Sequence, residues 1–185
     1  MSRLPTRDEA VTLLNRYLKV DYTRKHCLAS EAILRGLAHR LEHDEELWGI
    51  TGLLHDLDLE LVDGDPKLHG LRTVAILNDL DYPKEGLDAI LSHNGDELGI
   101  PCKTPLEFAL TAGESISGLV FATALILPSK KLADVKPKSV RKRIKERRFA
   151  AKISRERIGQ FEGLGLTQEE FVSIAVEAML TADLE

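Results

Sequence analysis

One hundred and eighty-five residues, 43% of them hydrophobic, suffice for one domain with a sizeable core, which excludes a disordered chain; no heptad persists, which excludes a coiled rod. Twenty-five lysines and arginines against thirty acids give a formal net charge of −5, which argues against nucleic-acid binding by the whole chain. Only two cysteines, Cys27 and Cys102, exclude a disulfide scaffold and a four-thiolate zinc site, while a start without an apolar signal core and charges in every apolar run lead us to expect a soluble, cytoplasmic protein.

Helix punctuation recurs in chain order. Thr6 with Glu9 forms a capping-box pattern, with Val11, Leu14 and Leu18 following at helical spacing. Further helices are expected over 23–42, 45–55, 69–80, 84–93, 105–127, 138–149 and 154–161. Thr104 with Glu107 repeats the capping box, and Pro105 takes the first helical position, where its missing N–H costs nothing. Thr167 with Glu170 opens a last helix carrying Phe171, Ile174 and Ala178. Short turns fall at 63–66, 82–83 and 99–101. No alternating β-branched run appears, so the class is all-α. We expect a single helical bundle with a core over 1–127, and a basic helical extension over 128–185 packed on the same domain.

Charge is unevenly spread. Residues 130–157 hold thirteen lysines and arginines and three acids. A solvated helix face is the plainest account. A phosphate-facing or nucleic-acid-facing arm, or docking on an acidic surface of a second subunit, are the alternatives, the last leaving room for a homo-oligomer. Aromatics barely interleave there, so base stacking gains little support.

Helix geometry, at about 100° per residue, sorts the six histidines. His26 shares a stripe with Ala29, Ile33 and Leu37 and therefore faces inward. His39 and His43 lie on the polar face of the same helix. His55-Asp56 ends the apolar stretch of Leu47, Ile50, Leu53 and Leu54. His69 falls with Ile76 and Leu80, His93 beside Ala89 and Ile90, and Glu114 with Leu110, Phe121 and Leu125. A lone inward histidine is usually a hydrogen-bonded core residue. Four of them with two acids on inward-facing segments point to a metal centre, because burying an uncompensated carboxylate costs several kcal/mol. Imidazole and carboxylate donors suit one or two divalent ions of Fe, Mn, Zn, Co or Ni. Asp56 has an oxygen for each of two ions.

In this order and context the residues resemble the HD superfamily of metal-dependent phosphohydrolases. The resemblance rests on Lys25-His26, Gly52-Leu-Leu-His-Asp56, His69-Gly-Leu with Ile76-Leu, and Ala89-Ile-Leu-Ser-His93-Asn94. It continues through Ser117-Gly-Leu119 and 128–134, and is similar to HDIG-type proteins over nearly the full chain. It implies an all-α fold and hydrolysis of a phosphate ester by metal-activated water, with a small phosphorylated molecule, such as a nucleotide, as partner and no membrane. It also implies a ligand set of His26, His55, Asp56 and Glu114 for one ion, and His69, His93 and a shared Asp56 for the second.

Two departures from the family pattern stand out. Glu114 occupies the place where the family carries a late aspartate. Leu57-Asp58-Leu59 replaces the aliphatic-glycine-lysine run that follows His-Asp in some relatives, which weighs against a cyclic-dinucleotide phosphodiesterase. Asp58 reads as a base behind the ligands, a proton donor, an extra ligand, or a solvated turn acid. Arg72, about 60° from His69 on an expected common helix, is a candidate for a substrate phosphate, with a surface ion pair as the plainer role. An oxygenase using two irons and a non-catalytic binding module are the rival readings. No esterase elbow, phosphate loop or dinucleotide fingerprint is present.

Overall fold

The computed structural model describes residues 2–182 and 184. Among them are ten α-helices and no strand. All three capping boxes form. Thr6, Thr104 and Thr167 each accept from the backbone N–H three residues on, and the glutamate there accepts from the cap in return. They open α1 (Arg7–Tyr17), α7 (Pro105–Leu125) and α10 (Gln168–Thr181). Asp44 caps α3 (Glu45–Leu54) by accepting from the N–H groups of Glu46 and Leu47.

Two 21-residue helices, α2 (Asp21–Leu41) and α7, form the centre. Helix α2 packs on α3, α7 and α10, and α5 (Lys84–His93) packs on α7, α3 and α4 (Leu71–Asn78). The inward stripe expected on α2 is present, since Ala29, Ile33 and Leu37 are fully buried. A short α6 (Gly95–Leu98) follows α5. Beyond α7 come α8 (Pro137–Lys145), α9 (Arg155–Gly159) and a 3₁₀ turn over Gln160–Leu164. Val140, Ile158, Phe161 and Phe171 from this C-terminal part join the same apolar core as Leu34, Leu53 and Leu110. Phe161 stacks on Phe171 with ring centroids 5.1 Å apart.

Several sequence expectations are corrected. Helix α4 begins at Leu71, so His69 stands in the turn before it, and Leu80 is largely exposed. The segment expected to be helical to 149 stops at Lys145, and the one expected over 154–161 passes from α9 into the 3₁₀ turn. Leu125, placed on the Glu114 stripe, is 66% exposed where α7 ends. Glu107 and Glu114 interrupt the longest apolar helix, α7. Helix α7 has the length and hydropathy of a membrane span, but 67% of its most apolar window is buried inside the fold. Its apolarity is that of a central core helix.

Where α3 crosses α2, the backbones nearly touch. A Cβ added at Gly52 would lie 2.9 Å from the Ser30 carbonyl oxygen. That approach sets the depth of His55, one turn further along. Gly52→Ala must push the helices apart, and we expect a loss of about 1–3 kcal/mol. Gly159→Ala, where nothing lies within 4 Å of the added carbon, should be neutral or slightly stabilising. Urea denaturation of both variants measures the contrast.

Candidate metal centre

Five elements deliver the inward histidines and acids to one place. His26 comes from the first turns of α2 and Glu114 from the middle of α7. His55 and Asp56 follow α3, His69 precedes α4, and His93 ends α5. Asp56 is the hub. Its Oδ1 lies 3.2 Å from the Nε2 atoms of both His55 and His69 and 3.6 Å from that of His93. Its Oδ2 lies 3.6 Å from His26 Nε2, which is in turn 3.8 Å from Glu114 Oε2. The rings of His26 and His55, His55 and His93, and His69 and His93 meet edge to face at 4.9–5.2 Å.

The second nitrogen of each imidazole explains the arrangement. His55 Nδ1 donates to the Gly52 carbonyl at 2.8 Å, and His93 Nδ1 donates to that of Ile90. His69 Nδ1 donates to Asp58 Oδ1 at 2.8 Å. His26 Nδ1 donates to Ser117 Oγ at 2.9 Å, the Ser117 hydroxyl itself donating to the Glu114 carbonyl. With each Nδ1 tied to an acceptor outside the cluster, every Nε2 faces the common space. The Nε2 atoms of His69 and His93 face one another at 3.0 Å, a repulsive contact unless a proton or a cation stands between them. His55 Nε2 is buried without any hydrogen-bond partner, which costs free energy unless something else satisfies it. The donor set therefore fits a divalent transition ion, with the acceptors behind each Nδ1 fixing tautomer and ring orientation. Two overlapping groups have their donor atoms within 4.8 Å of one another: His26, His55 and Glu114, and His55, Asp56 and His93.

Electrostatics follow the geometry. Burial, with the neighbouring histidines adding to it, pushes His55 down to about 3 and keeps it neutral. Burial opposes charge on Asp56, yet His55, His69, His93 and His26 hold its carboxyl well below the ordinary 3.8. His69, despite burial, is raised to about 10 by its hydrogen bonds to Asp56 and Asp58. Cys27 is fully buried, and burial with the Asp56 charge pushes its thiol well above the ordinary 9.0, so it is no nucleophile.

Asp58 is fully buried, not a solvated turn acid. Oδ1 accepts from His69, and Oδ2 accepts from the backbone N–H groups of Gly70 and Thr73, at 2.8 and 3.0 Å. Gly70 stands at φ +85, a conformation that side chains rarely adopt. The bend there aims its N–H at Asp58. Asp58 thus sits behind His69 and holds it in place, with both oxygens used. Arg72 is not brought to the cluster. It is exposed and lines a separate groove with Tyr17, Leu61 and Asp79. The argument for it assumed a helix through His69, which the chain does not form. His39 is exposed and pairs with Glu45, and His43 stacks on Trp48. Neither approaches the cluster; His39 lies on the polar face of α2, while His43, expected on the same helix, lies beyond its end at Leu41.

Sequence reasoning missed Ser117, although its spacing of three from Glu114 on a helix places it on the same face. It also missed Lys152 and Arg157. They line one cavity of about 500 Å³ with His26, Asp56 and Glu114.

An all-α bundle with a converging set of imidazoles about one aspartate is a metal-site fold by its donor chemistry. The family model for the HD domain matches residues 23–145, two thirds of the chain, and the protein belongs to that family. The match is to the HD domain as a whole. The narrower HDIG likeness rests on the sequence motifs alone. Searches of curated proteins and of solved structures each return no match.

Asp58→Ala removes a buried acceptor from three donors, and we expect a loss of about 3 kcal/mol in chemical denaturation. The pH dependence has a definite sign. Burial opposes ionisation of Asp58, but the His69 hydrogen bond and charge, and the Thr73 and Gly70 amides, hold its carboxyl below the ordinary 3.8. Its contribution to stability is thus complete above 3.8 and is lost as pH falls through the lower folded value. Asp58→Asn should be less stable at neutral pH and show a shallower acid limb in a pH series of melting curves.

Proposed function

We propose that this protein is a metal-dependent phosphohydrolase that cleaves a phosphate ester of a nucleotide or a related small molecule. The observation that carries the reading is the convergence of four Nε2 atoms on Asp56, each with its Nδ1 tied elsewhere. His26, His55, Asp56 and Glu114 would hold one ion. His69 and His93, sharing Asp56, would hold the second. Ions of this kind supply a water acidified toward neutral pH and positive charge for the phosphoryl oxygens.

The chain's own groups do the rest. Asp56 remains ionised among the imidazoles, with Oδ1 beside His55, His69 and His93 and Oδ2 beside His26. His55 stays neutral and keeps its lone pair for coordination. Glu114 directs Oε2 toward His26 while Oε1 accepts from the Ser115 hydroxyl. Asp58 keeps the His69 ring aimed. The cavity of about 500 Å³ lies within the range of small-molecule sites, about 300–1,000 Å³. We place the protein in the cytoplasm, acting on a diffusible phosphorylated substrate.

Two measurements test this reading. Protein purified without chelator and reloaded with Fe(II) or Mn(II) should retain one or two ions per chain by plasma mass spectrometry. It should hydrolyse p-nitrophenyl phosphate or a member of a nucleotide panel. His55→Ala should lose ions and turnover together. Glu114→Gln should lose occupancy first and recover rate in excess metal. Retained turnover in a metal-depleted His55→Ala, Asp56→Ala protein would overturn the mechanism. Binding of a nucleotide without turnover by metal-loaded protein would favour a regulatory module instead. Because His69, raised to about 10 by its two aspartates, must release its proton to free Nε2, metal affinity should rise with pH. Calorimetry in buffers of different ionisation enthalpy should register the released protons.

A further inference from the structure

The cavity over the histidines is closed on one side by chain that lies beyond the HD-matched residues. After α8 the chain turns through 146–154 and enters α9, and this arm is fixed rather than loosely draped. The Arg155 guanidinium donates to the backbone carbonyls of Ala150 and Ile153 through Nη1, and to those of Arg143, Glu146 and Phe149 through Nη2. Ile153 seats against Gly118, where an added Cβ would lie 3.2 Å from its Cδ1. That contact is one turn of α7 beyond Glu114. Arg157 ties the arm to the opposite wall, with Nε on Asp96 Oδ2 at 2.9 Å and Nη2 on Asn94 Oδ1 at 3.3 Å. Asn94 in turn donates to the carbonyls of Pro66 and His69.

The charges facing the cavity can be accounted for one by one. Asp56 and Glu114 belong to the ligand set, and Asp96 is paired with Arg157. Glu97 stands exposed at the rim. Lys152 lines the cavity with no ion pair among the described residues, and Arg157 Nη1 has no protein partner there. Two cationic edges, held by a built arm beside a phosphoryl site, are what a second anion needs.

We propose that Lys152 and Arg157 bind a second anionic group of the substrate, a phosphate or carboxylate beyond the phosphoryl group held at the histidines. The C-terminal arm is then the specificity-determining wall of the site, with Arg155 as its positioning residue. This inference rests on the phosphohydrolase reading of the metal centre.

The test compares two probes that the enzyme cannot hydrolyse, phenylphosphonate and 4-phosphonobenzoate, by calorimetry on the Mn(II)-loaded full chain. The second adds one carboxylate across the ring from the phosphonate. The carboxylate should tighten binding about tenfold, the scale of one charge-assisted hydrogen bond. Lys152→Ala should reduce that advantage to about twofold, and Lys152→Glu should reverse it. Metal content should stay constant in both, and phenylphosphonate affinity should fall less than 4-phosphonobenzoate affinity. Arg155→Ala should lower the advantage while leaving the bound metal in place. Equal affinity for the two probes in the parent protein would overturn the proposal and leave the metal-site reading standing. So would an undiminished advantage in Lys152→Ala. Failure of the metal-loaded protein to bind phenylphosphonate at all would overturn both.

Discussion

One ionised carboxylate, buried among four imidazoles, organises this protein. An isolated buried charge is too costly to keep, so everything near Asp56 exists in relation to it. Helices α3 and α5 must end within reach of it, α2 must bring His26 and α7 Glu114 alongside, and a turn must bring a fourth ring beside it. The Nδ1 atom of each imidazole is committed to the far side of its ring, and His69, held protonated by its two aspartates, also reaches Asp56 through Nε2. What remains at the centre is a shell of Nε2 atoms around a negative charge. Such a shell is electrostatically incomplete without a cation.

The surrounding architecture serves that shell. Helix α7 is apolar along nearly all its length because it runs through the middle of the core. It nonetheless carries Glu114 and Ser117, and both face His26. The close crossing of α2 and α3 at Gly52 sets His55 at full depth. Two of the four acceptors behind the rings, those for His55 and His93, are backbone carbonyls, which no substitution can delete. Only His26 and His69 depend on side chains, Ser117 and Asp58, for their orientation.

What was legible in the sequence followed from regular helix geometry. His26 could be placed because Ala29, Ile33 and Leu37 continue its stripe for three turns, and His39 and His43 could be set aside by the same arithmetic. The capping boxes at Thr6, Thr104 and Thr167 were local enough to read without tertiary information. His69 was assigned the correct surroundings through an incorrect element. The helix begins two residues later, and Asp58, eleven residues upstream, aims the ring in its place. Arg72 inherited that error. Lys152 and Arg157 were invisible for a different reason. Thirteen cations over 130–157 look alike in sequence, and only the carbonyl cage around Arg155 sets apart the two that line the cavity.

The turn that carries His69 has a consequence for how the protein ages. Residues 61–68 are nearly all exposed, the kind of segment that proteases nick first. A cut there would leave His26, His55, Asp56 and Glu114 on the intact α2–α3–α7 packing. His69 would stay tethered through Asp58 and the start of α4, on a strand of chain no longer continuous with Asp56. His69 is therefore the one donor whose place would rest on the Asp58 hydrogen bond and the start of α4, while His93 stays seated through α5 on α3 and α7.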